Sequence, residues 1–161
     1  MPNQFSWIIP DKLAGMERPG SVCSLEEDLD FLKNVGIDII INLEEYVWNY
    51  SEFDVKHIPI QDFKAPTLSD IEEFVELVEY NIRKGKRILV HCYAGMGRTN
   101  LMLASYLVYL GLNPDEALNV VRGNRPSYAV TEEQKEALRE YYYVHFGEGE
   151  DNRPKFTNEE D

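Results

Sequence analysis

Apolar positions along the chain follow two rhythms, one helical and one near-continuous, that alternate from end to end. Leu25, Leu29, Leu32 and Val35 recur at helical spacing, with Ser24 placed to cap the start and Gly36 to end the last turn. Ile37 to Leu43 is then an almost unbroken, β-branched run, which predicts a strand covered on both faces. Glu44 to Asp54 is polar and aromatic and reads as a loop. Val55 to Ile60 predicts a second strand, with Pro59 near its end. A helix follows from a cap at Thr67 or Ser69 to about Lys84, its apolar face made by Ile71, Phe74, Val75, Val78 and Ile82. Arg87 to His91 predicts a third strand, and residues 97–110 a mostly apolar, central helix stopped by Gly111. Asn113 and Pro114 open another helix to about Arg122, followed by a loop over 123–127. Thr131 and Gln134 form a capping-box pattern heading a last helix that ends near Phe146. Phe5 to Ile9, set among Pro2, Pro10, Gly15, Pro19 and Gly20, reads as an edge strand or hairpin.

Strands alternating with helices predict an α/β fold with a mostly parallel sheet. In such sheets ligands bind beyond the carboxyl ends of the strands, which directs attention to the turn after His91. The length of 161 residues suits one compact domain, taken as residues 1–146, followed by an acidic tail over 147–161. The formal net charge of −13 excludes a nucleic-acid or anionic-membrane binder, for lack of a basic footprint. A phosphate ligand stays open, because it needs only local positive potential. No apolar run approaches the roughly 20 residues of a membrane span, and the opening MPNQFSWIIP lacks the pattern of a signal peptide. A cytoplasmic location is the expectation. There, Cys23 and Cys92 are not expected to form a disulfide. With His57, His91 and His145 they make no metal-ligand spacing. No metal or other cofactor is expected.

The turn after the third strand reads His91-Cys92-Tyr93-Ala94-Gly95-Met96-Gly97-Arg98-Thr99. A thiol at a helix N-terminus meets unpaired backbone N–H groups and the positive end of the macrodipole, which favour its thiolate. The same N–H groups can cradle an oxyanion. Gly95 and Gly97 let the backbone curl around it, and Arg98 carries a planar fork matching two phosphate oxygens. Thr99 can donate its hydroxyl to the sulfur. A structural cysteine would need none of Gly95, Arg98 or Thr99.

The pattern H-C-x-x-G-x-x-R-[ST] resembles the signature of the cysteine-dependent protein tyrosine phosphatases. The opening F-S-W-I-I-P-x-K-L-A-G resembles that of their small single-domain, dual-specificity members, and the likeness covers residues 5–146. It implies a central, mostly parallel sheet of about four to five strands with helices on both faces. It further implies a metal-free phosphatase in which Cys92 is the nucleophile and the loop Cys92–Arg98 binds phosphate. The family takes its general acid from an upstream Asp. Asp62, in I-P-I-x-D-F and 30 residues before Cys92 (92 − 62), is the matching residue. Its rivals Asp54 and Asp70 do not stand at a strand's carboxyl end.

The resemblance also gives supporting roles to His91, which orients the loop, and to Arg125, which props it or is simply a solvated side chain. Gln134 either faces the site or only completes its capping box. Asn100 departs from the family, which carries Gly there, and its side chain is expected to crowd a neighbouring element. Tyr46, Trp48 and Tyr50 line a substrate rim or form a satellite cluster under their loop. Cys23 reads as a small buried hydrophobe.

The expected substrates are phosphorylated proteins. The brief Glu44–Asp54 loop suggests a shallow pocket open to phosphotyrosine and to phosphoserine or phosphothreonine. A phosphoinositide or RNA 5′-triphosphate substrate is disfavoured by the uncharged Tyr93, Ala94 and Met96. Intact Cys92, Arg98 and Asp62 argue against a pseudophosphatase that only binds phosphorylated partners.

Overall fold

The computed structural model describes residues 4–147. Five strands, β1 (Ser6–Ile9), β2 (Leu13–Met16), β3 (Ile39–Asn42), β4 (Asp54–His57) and β5 (Ile88–His91), form one sheet in the order β1-β2-β5-β3-β4. Only the β1–β2 hairpin is antiparallel; the other pairs are parallel. The helices are α1 (Leu25–Asn34), α2 (Leu68–Arg83), α3 (Arg98–Tyr109), α4 (Pro114–Asn124) and α5 (Glu132–Phe146).

Strand side chains alternate faces, and the two faces carry separate cores. Leu13, Ile39, Ile41, Ile88 and Val90 point to the side covered by α2, α3, α4 and α5. Ala14, Met16, Ile40 and Leu89 point to the side where Leu32 of α1 packs with Phe5 and Tyr50. The apolar α3 is the central helix, buried from Arg98 to Val108. It lies so close to β2 that a Cβ on Gly15 would stand 2.9 Å from both Leu103 Cδ1 and Thr99 Cγ2.

Local signals set the element ends. Ser24, Thr67, Asn113 and Thr131 are the N-caps, the last three in complete capping boxes. Among the boundaries that differ from expectation, two bear on the site. The strand predicted to Ile60 ends at His57, although Ile58 and Ile60 still donate to Asn42 and Leu43. Pro59 between them has no N–H to give, so the ladder is interrupted and not abandoned. α4 runs through Gly123 to Asn124, because its exit is held by the buried Arg125 that follows. Apart from Gly147, the acidic tail lies outside the described residues.

Because β2, β3, β4 and β5 run parallel, the segments that follow them all emerge at one edge of the sheet. That edge receives Glu17 and Arg18, then Glu44 and Glu45, then Asp62, then Cys92. The tight approach at Gly15 is what brings α3 under it. Gly15→Val is expected to destabilise the protein by about 1–3 kcal/mol through overpacking, measured by urea unfolding. An unchanged midpoint would contradict the close packing described.

Candidate active site

The loop between β5 and α3 is shaped from outside. Tyr93 O accepts from Arg18 N at 3.0 Å, and Met96 O accepts from Ala129 N at 2.9 Å and from Asn100 Nδ2 at 2.9 Å. Gly95 O accepts from Arg125 Nη2 at 2.7 Å, and Cys92 O lies 3.2 Å from His91 Nδ1. In a trans peptide the carbonyl and the next N–H point in opposite directions. Holding these four carbonyls outward therefore turns the N–H groups of Tyr93, Ala94, Met96 and Gly97 toward the concave side. Gly95 has φ +75°, and a Cβ there would meet the Met16 and Glu17 backbone at 2.8–2.9 Å. Its own N–H points to Cys92 Sγ at 3.3 Å. The sulfur sits buried at the floor of a cleft of about 400 Å³ lined by Asp62, Phe63, Tyr93, Met96, Arg98 and Gln134, among others.

Arg98 is buried beside this floor. Its Nη1 donates to Ile60 O at 2.9 Å and to Glu45 Oε1 at 3.0 Å, and its Nη2 lies 3.2 Å from Asp62 Oδ1. Its Nε has no partner among the described residues. One edge of the guanidinium is thus fastened to the β3 and β4 segments while Nε is left for an incoming acceptor. Glu45 also accepts from Asp62 N at 3.3 Å, so one carboxylate holds both Arg98 and the Asp62 backbone. A hydrogen bond from its own backbone N–H, with those from Asp62 N and Arg98, holds the Glu45 carboxyl below the usual carboxylate range against the opposing effect of burial. Phe63, just after Asp62, is held at φ +63°.

Behind the loop lies a buried polar wedge. His91 Nδ1 faces two acceptors, Cys92 O and Glu44 Oε2 at 3.4 Å, so that nitrogen carries the proton. Its Nε2 meets the Tyr50 hydroxyl at 3.1 Å. Arg18 grips Glu44 through Nε and Nη2, its guanidinium stacked on Trp48 at 4.5 Å and Tyr93 at 4.7 Å. Burial alone would raise the Glu44 carboxyl, but hydrogen bonds from His91 and Arg18 outweigh it and hold it at about 2. Burial, reinforced by the charge of Glu44, pushes the Tyr50 phenol up.

The structure brings together Cys92, Arg98, Asp62, Gln134 and the loop residues Tyr93 to Gly97. Arg125 is buried and not solvated: besides Gly95 O it donates to Asn100 Oδ1, Ser6 Oγ, and the carbonyls of Gln4 and Gly15 at 2.5–2.9 Å. Burial lowers it to about 10 against the opposing pull of Cys92 and Glu17, which leaves it cationic at neutral pH. Asn100 does not crowd its neighbours. It is buried and ties Met96 O, Ser127 O and Arg125 together. Gln134 does both things expected of it, completing the capping box and lining the cleft, and it also donates to Lys64 O at 3.2 Å. Thr99 Oγ1 is buried with no hydrogen-bond partner among the described residues, so the anticipated donation to the sulfur is not made here. Asp54 pairs with Lys56, and Asp70 caps α2. Cys23 is half-buried in the turn before α1 and is not a core residue.

Glu44, Glu45 and Arg18 were not singled out by sequence. They lie in stretches without periodicity, and only the parallel registers of β2 and β3 against β5 carry them to the site. A larger groove of about 660 Å³, between α2 and the end of α5, is remote from Cys92. Two of its three carboxylates are already engaged, Glu72 with His145 and Glu79 with Tyr106.

Known proteins share the fold. The family model described as "Polymorphic toxin system, DSP-PTPase phosphatase" matches residues 14–112. The chain belongs to this family of dual-specificity and protein tyrosine phosphatases. It is 30% identical over 112 residues to the tyrosine-protein phosphatase CDC14 of Saccharomyces cerevisiae, covering 66% of this chain and 20% of that one. It is 30% identical over 154 residues to the phosphatidylglycerophosphate phosphatase PTPMT1 of Arabidopsis thaliana, covering 89% of this chain and 45% of that one. The chain thus spans less than half the length of these curated relatives. The crystal structure of Tk-PTP in the active form superposes with a TM-score of 0.75 at 32% identity, covering 88% of this chain and 97% of that one.

The wedge makes a pH prediction. Glu44 is depressed from the ordinary 4.5 to about 2, so its contribution is fully present above about pH 4.5 and is lost as pH falls through 2. Glu44→Gln is expected to cost up to about 3 kcal/mol at pH 6–7. Urea unfolding at successive pH values should show that deficit shrinking from pH 4.5 downward. A deficit independent of pH would contradict an ionised, buried Glu44.

Proposed function

We propose that the protein is a metal-independent protein phosphatase that hydrolyses phosphotyrosine, and phosphoserine or phosphothreonine, through a cysteinyl-phosphate on Cys92. The observation that carries the reading is the convergence of Cys92 Sγ, inward-turned loop amides, the unpartnered Arg98 Nε and Asp62 on one cleft. The bound phosphate takes the place of Asp62 on Arg98, leaving the carboxyl free to act on the ester oxygen. The thiolate attacks phosphorus in line, the P–O ester bond breaks, and Asp62 supplies the proton to the departing oxygen. The loop amides and Arg98 stabilise the charge spread over the three remaining oxygens. Water then attacks the S–P bond, Asp62 accepts its proton, and the thiolate returns. The unpartnered Thr99 hydroxyl is a donor in reserve for that returning sulfur. Arg125 and His91 act through the loop, as positioning residues. Gln134, next to the same cleft, orients the attacking water.

Phosphorylated proteins are the partners this reading requires. A nucleophilic thiol must stay reduced, so we assign the protein to the cytoplasm; among the described residues no helix is long and apolar enough to cross a membrane. Residues 1–146 would form the one catalytic unit and 147–161 an acidic extension. A second reading, a lipid phosphatase, draws on the name of the Arabidopsis relative. The uncharged Tyr93, Ala94 and Met96 of this loop offer nothing to a polyanionic head group. They disfavour an RNA 5′-triphosphate equally.

Hydrolysis of para-nitrophenyl phosphate in EDTA tests the reading. The wild type should turn over, and Cys92→Ser should lose at least about a thousandfold in kcat. Asp62→Ala should lose about a hundredfold on a phosphotyrosyl peptide, whose leaving oxygen needs the proton more than para-nitrophenolate does. Activity that needs a metal, or that survives Cys92→Ser, would overturn it.

A further inference from the structure

Nine large apolar side chains stand exposed among the described residues; two of them, Phe63 and Tyr93, belong to the Cys92 cleft, and two more, Tyr46 and Val47, stand on the segment after β3, and these four are each 53–78% exposed. Tyr46 and Val47 are held in place by their neighbours on both sides. Glu45 before them is 3.0 Å from Arg98, and Trp48 after them stacks on the Arg18 guanidinium, which stacks in turn on Tyr93. With about 3.8 Å between successive Cα atoms, two residues pinned at both ends stay beside Glu45 and Trp48, next to the cleft residues Arg98 and Tyr93. Phe63 adds an independent sign. A bulky residue at φ +63° is strained, and a ring 74% exposed recovers little of that strain in packing. Strain held beside a candidate catalytic residue points to use.

A collar of this kind marks a binding surface, and its setting narrows the occupant. Two carboxylates, Glu45 and Asp62, share the single cation Arg98 at the rim, which leaves an excess of negative charge there, and the chain as a whole carries −13. An anionic bilayer or an acidic peptide flank would be repelled. We propose that the collar selects phosphopeptides in which aliphatic or aromatic residues, and no acidic ones, flank the phosphorylated residue. This rests on the phosphatase reading and names the substrate class of the same site. Tyr46 and Val47 are its specificity-determining residues, since they lie off the phosphate cradle and are exposed beside it.

The test compares matched phosphotyrosyl peptides flanked by Leu and Val, by Ser and Gly, or by Asp and Glu, with para-nitrophenyl phosphate as the flankless reference. A vesicle arm uses phosphatidylcholine carrying phosphatidylglycerophosphate. The expected result is a kcat/KM for the Leu/Val peptide about tenfold above the Ser/Gly peptide, the gain from covering about one aliphatic side chain, with the Asp/Glu peptide lowest. Val47→Asp and Tyr46→Ser should each collapse the ratio of Leu/Val peptide to Ser/Gly peptide toward one. Equal turnover of all three peptides would overturn the collar while leaving the phosphatase reading intact. So would a preference that survives Val47→Asp, or vesicle lipid turned over faster than any peptide. No turnover of para-nitrophenyl phosphate by the wild type would instead sink the phosphatase reading, and the collar with it.

Discussion

The outward anchoring of the Cys92, Tyr93, Gly95 and Met96 carbonyls is the constraint on which the rest depends. A loop of this length can curl in many ways, and only one set of peptide orientations offers donors to a single point. Arg18 N, Asn100, Arg125, Ala129 N and His91 fix that set from behind, each holding a carbonyl. Arg125 does most. It joins the loop to the β1–β2 hairpin through Gly95 O, Gly15 O and Gln4 O, five elements away in sequence. Gly15 and Gly95 supply the space, one under α3 and one against the β2 backbone. The cradle is therefore a property of the tertiary fold. The loop alone would not hold it.

The same arrangement reconciles an acidic protein with an anionic ligand. Net charge acts at long range and is screened within about 10 Å in ordinary salt, whereas the cleft is governed by groups within contact distance. There the carboxylates are already committed: Glu44 to Arg18 and His91, Glu45 to Arg98. Arg98 keeps its Nε unpartnered there, and the anchored carbonyls turn the loop amides inward. Outside it the surface charge returns, and the uncharged collar marks the boundary between the two regimes.

Most of the fold was legible in the chain. Near-continuous Ile and Val runs announced buried parallel strands, and Ser24, Asn113 and Thr131 announced helix starts. The core of the candidate site was legible too, because a strand, a glycine-bearing turn and a helix carry its residues in one unbroken stretch. What escaped was what tertiary structure alone decides. Asn100 looked like an intruder in place of glycine, yet three hydrogen bonds make it the joint between loop, α3 and Arg125. Glu45 had no local signature and reaches Arg98 across 53 residues. The aromatic loop divided itself between two environments, with Tyr50 buried and Tyr46 exposed. Gly123 looked like a helix end, but the anchoring of Arg125 sets where α4 stops.

The central claim is that phosphate passes through a covalent bond to Cys92. Its most direct measurement is acid-quenched trapping: Asp62→Ala, slowed in hydrolysing the intermediate, is mixed with a phosphotyrosyl peptide, quenched within one turnover, and digested for mass spectrometry. The account predicts one added phosphoryl group on the peptide containing Cys92, labile at the S–P bond and absent from Cys92→Ser. Turnover with no such adduct, or an adduct on any other residue, would contradict it.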